Sequence, residues 1–134
     1  MREQSMSYCF DASYVFVQDD GYMVMVGFAD DEREPSRFVL LQKVKEYDEQ
    51  DRRLGMDKIH LQVEDESRAL YGGIRSISKK GGRLLIELES EAEAALQTEG
   101  EIDINLNPHP QLTAVLAELE KLASSEGIPF IKNG

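Results

Sequence analysis

Apolar and polar residues alternate through the first two-thirds of the chain, and this period of two predicts β-strands with one buried face. The stretch SYVFVQDDGYMVMVGF, residues 13–28, contains two such runs. Their alternating large side chains are those of Tyr14 and Phe16, and then Tyr22, Val24, Val26 and Phe28. Asp20-Gly21 between the runs is a hairpin signal, so we expect two antiparallel strands here. RFVLLQ, residues 37–42, follows Pro35 and predicts another strand.

The middle of the chain repeats this alternation. Residues 59–64 alternate apolar and polar side chains, and Gly81-Gly82 is placed to turn the chain between two further strands. EIDINL, residues 101–106, adds one more strand. The expected inward positions are Ile59, Leu61, Val63, Ile74, Ile77, Leu84, Ile86, Leu88, Ile102, Ile104 and Leu106. The polar alternates predict that one sheet face meets solvent.

Two helices are predicted in the last third of the chain. Ser90 with Glu93 is a capping-box signature for a short helix that Gly100 can end. A longer helix from about Pro110 to Ala123 carries one apolar stripe, which consists of Leu112, Val115, Leu116, Leu119 and Leu122. This stripe must bury against the sheet. We therefore expect an α+β fold with a largely antiparallel sheet of about six or seven strands, one short helix and a C-terminal amphipathic helix packed on the sheet.

Size and charge narrow the class of protein further. With 134 residues the chain suits a single domain spanning 1–134. A formal charge of -11 disfavours nucleic acid and anionic membranes as partners and favours a cationic one. The single cysteine, Cys9, excludes an intramolecular disulfide, residues 1–7 are too polar for the apolar region of a signal peptide, and no apolar run is long enough to span a membrane. We expect a cytoplasmic protein, with Cys9 as a half-buried strand residue.

The segment EYDEQDRRLGMDKIHLQVEDESRALYGGI, residues 46–74, concentrates charged residues and offers candidate chemistry. Its first part is either a short helix ending near Gly55, with Asp48–Arg52 and Glu49–Arg53 at i,i+4 spacing, or an ordered loop. A catalytic interpretation would use Asp48, Glu49, Asp51 or Asp57 as acid and base, assisted by Tyr71 or His60. A solvated connection explains the same composition. DDG and DDE lack the ligand spacing of a calcium loop, and YGGI lacks the lysine of a phosphate-binding loop.

The order LLQ, DEQDRRLGMD, SRALYGGI and RLLIELESEAEAAL resembles the immunity protein 10 family of bacterial polymorphic toxin systems, over about Gly21 to Leu122. The resemblance implies a small, mostly β protein that binds a toxin and thereby protects the producing cell. It implies no catalytic activity and no cofactor. The family motif falls on Leu40, Leu41, Gln42, Asp48, Glu49, Gln50, Asp51, Leu54, Gly55, Met56, Asp57, Tyr71, Gly72 and Gly73.

These observations lead to a hypothesis for the partner-binding residues. The partner would be a cationic toxin domain, such as a nuclease, which an acidic surface attracts by electrostatic steering. The proposed contact residues are Tyr47, Asp48, Glu49, Asp51, Asp57, Glu64, Asp65 and Tyr71, with the two tyrosines as aromatic anchors. The motif residues Leu40, Leu41, Gln42, Gln50, Leu54, Gly55, Met56, Gly72 and Gly73 are expected to support the fold. Two alternatives stay open, an acidic secretion-type chaperone and a small carboxylate-based enzyme. Edge strands also permit self-association.

Overall fold

The computed structural model describes residues 8–133. It has ten strands and three helices in this range. Their bounds in chain order are β1 Tyr8–Ala12, β2 Tyr14–Asp19, β3 Met23–Ala29, β4 Phe38–Val44, α1 Glu49–Arg53, β5 His60–Val63, β6 Ala69–Tyr71, β7 Ile74–Lys80, β8 Arg83–Leu88, α2 Ser90–Leu96, β9 Glu101–Leu106, α3 Leu112–Ser125 and β10 Phe130–Asn133. The predicted α+β class is confirmed, and the strands exceed the six or seven expected.

The strands form two sheets where we expected one. The first, sheet A, has the order β1-β9-β8-β7-β10, and the second, sheet B, has the order β2-β3-β4-β5-β6. Every pairing in sheet B is antiparallel. Sheet A is antiparallel at its centre, whereas β1 and β10 add to its two edges in parallel. A strand was expected around Cys9, but the parallel pairing of β1 and the strand β10 were not predicted, because their partners are distant in sequence and no local signal specifies them.

Turn chemistry explains the hairpins that the sequence predicts. Asp20 Oδ1 accepts hydrogen bonds from the backbone N–H groups of Tyr22 and Met23, at 2.9 and 2.8 Å, and so holds the β2–β3 turn. Gly81, with φ +58°, and Gly82 join β7 to β8 as expected. Because the first turn extends through Tyr22, that residue lies outside β3 and is exposed instead of following the strand's alternation.

One hydrophobic core lies between the inward faces of the two sheets. All the inward positions predicted between Ile59 and Leu106 are buried, and they belong to the same cluster as Val15, Val26, Phe28 and Leu41. The face of sheet A that points away from this cluster is polar, as expected, and carries Asp11, Arg83, Glu87, Asp103 and Asn105. Cys9 also lies on that face, where it is exposed and not half-buried as expected.

The C-terminal amphipathic helix packs on the sheets as predicted. Its bounds are Leu112–Ser125, about two residues later than expected at each end, because Pro110 and Gln111 remain in the preceding turn. Val115, Leu119 and Leu122 are buried, whereas Leu112 and Leu116 are partly buried against the core. The helix contacts β2, β3 and β10.

The capping box predicted at Ser90 is wrong. The helix begins one residue earlier than that box requires, so Glu89 is the N-cap, Ser90 is the first helical residue and no side chain caps this end. Glu93 accepts a hydrogen bond from the N–H of Gly100 at 2.8 Å instead. The helix also ends before Gly100, since Gln97 adopts the left-handed conformation with φ +58°.

Two consecutive glycines carry the chain from sheet B to sheet A. Gly72 and Gly73 lie between β6 and β7 and have φ values of +81° and +86°. A Cβ atom on Gly73 would stand 2.8 Å from the Ala92 Cβ and 2.9 Å from the Leu70 Cδ1. Helix α2 packs so closely against this crossing that only glycine leaves room at Gly73.

We predict that Gly73→Ala lowers the free energy of unfolding more than Gly21→Ala does. Gly21 is a matched control, since its φ is also +86° but no atom lies within 4 Å of the position that a Cβ would take there. The control reports the left-handed backbone cost alone, about 1–2 kcal/mol. Gly73→Ala adds the collision with Ala92 and Leu70, about 1–3 kcal/mol more. Urea denaturation measures both, and equal losses would contradict the close packing at this crossing.

Candidate functional site

The charged segment after β4 forms the short helix α1, which resolves the choice between helix and loop. Asp48 is its N-cap and accepts a hydrogen bond from the Asp51 N–H at 2.8 Å, while Asp51 accepts one from the Asp48 N–H at 3.2 Å. This reciprocal capping box defines the start of the helix. The i,i+4 couples Asp48–Arg52 and Glu49–Arg53 do not appear among the ion pairs of residues 8–133. Backbone capping, and not ion pairing, therefore shapes α1.

Helix α1 borders an open groove on the face of sheet B that points away from the core. The groove has a volume of about 300 Å³. It is lined by Tyr22, Met23, Gln42, Lys43, Val44, Asp51, Met56, Lys58, His60 and Tyr71. Four of these, Gln42, Asp51, Met56 and Tyr71, belong to the family motif but come from different elements. We call this depression the Tyr71 groove.

The register of sheet B explains why distant motif residues meet there. Gln42 on β4 pairs with His60 on β5, and His60 pairs with Tyr71 on β6. Side chains opposite each other in an antiparallel pair share one face of the sheet. The His60 and Tyr71 rings meet edge to face, with centroids 4.9 Å apart. Burial lowers the pKa of His60, and the nearby Glu66 carboxylate opposes this only in part.

Tyr47 lies beside α1 at the junction of β4 and α3. Lys43 Nζ stands 5.7 Å from the centre of the Tyr47 ring and forms an ion pair with Glu126 at 3.0 Å. Burial raises the pKa of Tyr47 to about 12, aided by the carboxylates of Glu126, Asp57 and Asp51. Its hydroxyl is buried without a hydrogen-bond partner in the described structure. Tyr47 is thus close to the acidic candidates, but its polar end is not presented to solvent.

Exposed apolar side chains surround the same region. Tyr71 retains 40% of its surface exposed and Tyr22 67%, and both line the Tyr71 groove. Leu54, the C-cap residue of α1, is 61% exposed. Large apolar side chains this exposed are candidates for contact with a partner. Tyr22 was not among the predicted contact residues because the alternation placed it in a strand, although the turn chemistry of Asp20 was the signal that it lies in the turn.

Two predicted contact residues lie at the other end of β5. Tyr8 Oη donates a hydrogen bond to Glu64, whose other oxygen pairs with Arg68 at 3.4 Å. Burial raises the pKa of Tyr8, and the Glu64 carboxylate adds to this effect. Asp65 holds the β5–β6 turn by accepting from the Ser67 N–H at 2.9 Å. Glu64 therefore makes intramolecular contacts, whereas Tyr47, Asp51, Asp57 and Tyr71 lie together around α1.

The motif residues expected to support the fold divide into two groups. Leu41 is fully buried, and Gly55, Gly72 and Gly73 all have positive φ values, so burial or backbone conformation constrains these four positions. The others have part or most of their surface exposed: Leu40, Gln42, Gln50, Leu54 and Met56. Burial in the core therefore does not explain why the residues of this second group belong to the motif.

Within residues 8–133, no group of three or more His, Cys, Asp or Glu side chains is arranged to hold a metal ion. None of the helices described there is long and apolar enough to cross a membrane. The groove is open to solvent. In the described structure the His60 ring packs edge to face against Tyr71 and does not form a hydrogen bond with a carboxylate.

The fold and the groove define a small α+β protein with an open, mixed polar and aromatic surface. Comparison with known families identifies it more closely: the family model described as immunity protein 10 matches residues 11–114, and the chain belongs to this family. This membership gives the protein a role in toxin immunity. Neither the curated proteins nor the solved structures contain a match.

We predict that His60 titrates below the histidine of the unfolded chain. Burial favours the neutral form of His60, so the pKa of its ring is lower in the folded protein than in the unfolded chain, where it is about 6.5. The contribution of His60 to the free energy of unfolding is therefore present above the unfolded-chain pKa and is lost as the pH falls towards the pKa of the folded protein. NMR titration of the ring, with the urea-unfolded protein as reference, measures the shift. His60→Gln should remove part of the loss of unfolding free energy between pH 7 and 5. An unchanged pH dependence in this variant would contradict the prediction.

Proposed function

We propose that this protein neutralises a cognate bacterial toxin by binding it non-covalently through the surface around α1. We define the α1 surface by Tyr47, Asp48, Glu49, Asp51, Asp57 and Tyr71. The observation that carries the proposal is the meeting of the motif residues Gln42, Asp51, Met56 and Tyr71 at one open groove. Residues from three separate parts of the motif share a surface that is not part of the hydrophobic core. Contact with the toxin explains why these residue types occur together.

The carboxylates of the α1 surface, together with the net charge of the whole chain, support a cationic partner, although Arg52 and Arg53 lie on the same helix. Asp48 and Glu49 are exposed, and Asp51 and Asp57 are partly exposed beside them. The whole chain carries a formal charge of -11, so its field attracts a positively charged domain and accelerates encounter. A nuclease fits this description because its nucleic-acid groove is cationic, and carboxylates placed over that groove replace the phosphates it binds.

The residues of the α1 surface have different roles in this proposal. Tyr71 is the aromatic anchor, since its ring is exposed at the groove and large aromatic side chains dominate interface energies. Tyr47 supports the surface from beneath, because its hydroxyl is buried. Glu64 and Asp65 lie about 13 Å along β5 from the groove, given the rise of a strand. They contribute more to the electrostatic field that attracts the toxin than to direct contact with it.

Binding alone is sufficient for this function, so the mechanism has no catalytic step and needs no cofactor. The toxin loses activity while its active site or an adjacent surface is covered. The protein acts in the cytoplasm, whose reducing conditions maintain a free exposed thiol such as Cys9. The 134 residues work as one domain, and the core shared by both sheets supports this.

Co-expression with the toxin domain encoded beside this gene tests the function. We expect the cells to survive and a complex of the two folded chains to co-purify. Death of the cells without a complex would overturn the proposal. Capture of an extended, unfolded segment instead of the folded toxin domain would favour the secretion-chaperone alternative.

We predict that removing two charges from α1 slows association with the toxin. Asp48→Asn with Glu49→Gln keeps the N-cap acceptor, since Asn caps helices as well as Asp does. Glu89→Gln with Glu91→Gln, at the start of α2, is the control with the same change of net charge. We expect the α1 variant to bind several-fold more slowly than the control at low salt, and the difference to shrink as salt screens the charges. Equal association rates in stopped-flow measurements would count against the α1 surface.

A further inference from the structure

On β2, β3 and β4, the face of sheet B that points away from the core is mostly apolar, unlike the corresponding face of sheet A. Strand register places outward-facing residues of β2, β3 and β4 side by side. The large apolar ones are Tyr14, Phe16, Met25, Phe38, Leu40 and Val44. Each is partly exposed, and none packs against the hydrophobic core. We call this surface the outer face of sheet B. At one corner of it, His109 from the loop before α3 packs edge to face against Tyr14, with ring centroids 5.4 Å apart.

A glycine inside a strand fixes one aromatic ring of this face. Phe16 and Gly27 are opposite each other on β2 and β3. A Cβ atom on Gly27 would lie only 2.2 Å from the Phe16 Cε1, so the ring lies directly over the glycine. Glycine weakens a strand interior unless close approach requires it. The Phe16 ring is therefore held flat on the sheet as a preorganised contact surface.

The fixed ring forms the floor of an apolar depression. The depression has a volume of about 210 Å³ and is lined by Tyr14, Phe16, Phe38 and Leu40, with Pro35 at its edge. Tyr14 and Phe16 support each other, with ring centroids 5.8 Å apart. A cavity of this size accommodates one large apolar side chain of a partner. Apolar depressions of this kind receive the anchor residues of protein interfaces.

Carboxylates surround the apolar face on two sides. Asp31 and Glu32 border the depression from the β3–β4 loop, and Asp19 and Asp20 border a second depression with Met23 and Met25 at the other end. Hydrogen bonds from backbone N–H groups lower the pKa of Asp20 and of Asp31, which keeps both charged. An apolar centre with a charged rim is the usual anatomy of a protein interface.

The apolar face is continuous with the Tyr71 groove. The residue row Met25, Gln42, His60 and Tyr71 crosses four neighbouring strands. Leu40 is two residues before Gln42 on β4 and therefore on the same face. The α1 surface and the apolar depression are two ends of one surface.

We infer that the outer face of sheet B is the apolar centre of the toxin interface, and that the toxin domain presents a large apolar side chain there with basic residues beside it. This inference rests on the proposed function and extends it from the charges of α1 to the sheet. The carboxylates select the occupant: they complement a cationic domain, whereas a second copy of this chain would bring the same acidic rim and a further charge of -11.

Leu40→Gln and Leu85→Gln form a matched pair that tests this surface. Both leucines are partly exposed, point away from the core and lie on the third strand of a five-stranded sheet. The probe is the catalytically inactivated toxin domain encoded beside this gene, and titration calorimetry measures its Kd. We expect Leu40→Gln to weaken binding at least about tenfold and Leu85→Gln to change it by less than about twofold. Thermal unfolding followed by circular dichroism verifies that both variants fold.

The remaining outcomes separate this inference from the proposed function. If the unaltered protein neither binds nor protects against the toxin, the proposed function fails. If it binds and both folded variants bind equally well, the function stands and the inference about sheet B is wrong. The inference is also overturned if the protein is a dimer by light scattering and Leu40→Gln converts it to a monomer, because a second copy then occupies this face.

Asp31→Asn, which keeps the loop's hydrogen-bond acceptor, should slow association several-fold at low salt if the rim steers the toxin.

Discussion

Burial of the inward faces of both sheets in one core is the constraint on which the rest of the structure depends. Among the described elements, only α2 and α3 give these faces a further apolar partner, and both close parts of the same core. The chain must therefore move between sheets without leaving polar backbone groups buried. It does so at Ser13, whose N–H donates to the Ala29 carbonyl at 3.0 Å, and again at Gly72-Gly73.

The position of the candidate site follows from this arrangement. Because the core occupies the inward face of sheet B, Gln42, His60 and Tyr71 are directed to the opposite face by strand alternation. Capping by Asp48 then fixes α1 beside them, and the nearly buried Lys43–Glu126 ion pair joins β4 to the end of α3 behind them. The groove is open to solvent, while contacts inside the protein hold the strands and the helix that form it in place.

The two outward faces differ in a way that bears on function. Sheet A presents mainly charged and amide side chains, whereas the β2–β4 part of sheet B presents mainly aromatic and aliphatic ones. Cross-strand packing stabilises Phe16, Phe38 and Leu40 only in part, since each keeps some of its surface exposed. The proposed contact with another protein gives a physical reason for apolar residues at these positions. In the proposed interface the acidic residues give rate and selectivity, while the apolar centre gives affinity.

The sequence by itself determined the local features. Alternation identified β2, β3, β4, β5, β7, β8 and β9, the leucine stripe identified α3, and the motif residues identified the family, because periodicity and turn chemistry act over a few neighbouring residues. Only the tertiary structure decided that there are two sheets, that β1 and β10 pair in parallel with distant strands, and that Glu64 turns inward to Tyr8 while Asp51 and Tyr71 meet. These strand pairings and side-chain contacts depend on which buried faces pack together across the core. The residues involved are far apart in sequence, so the local pattern around each of them does not specify its partner.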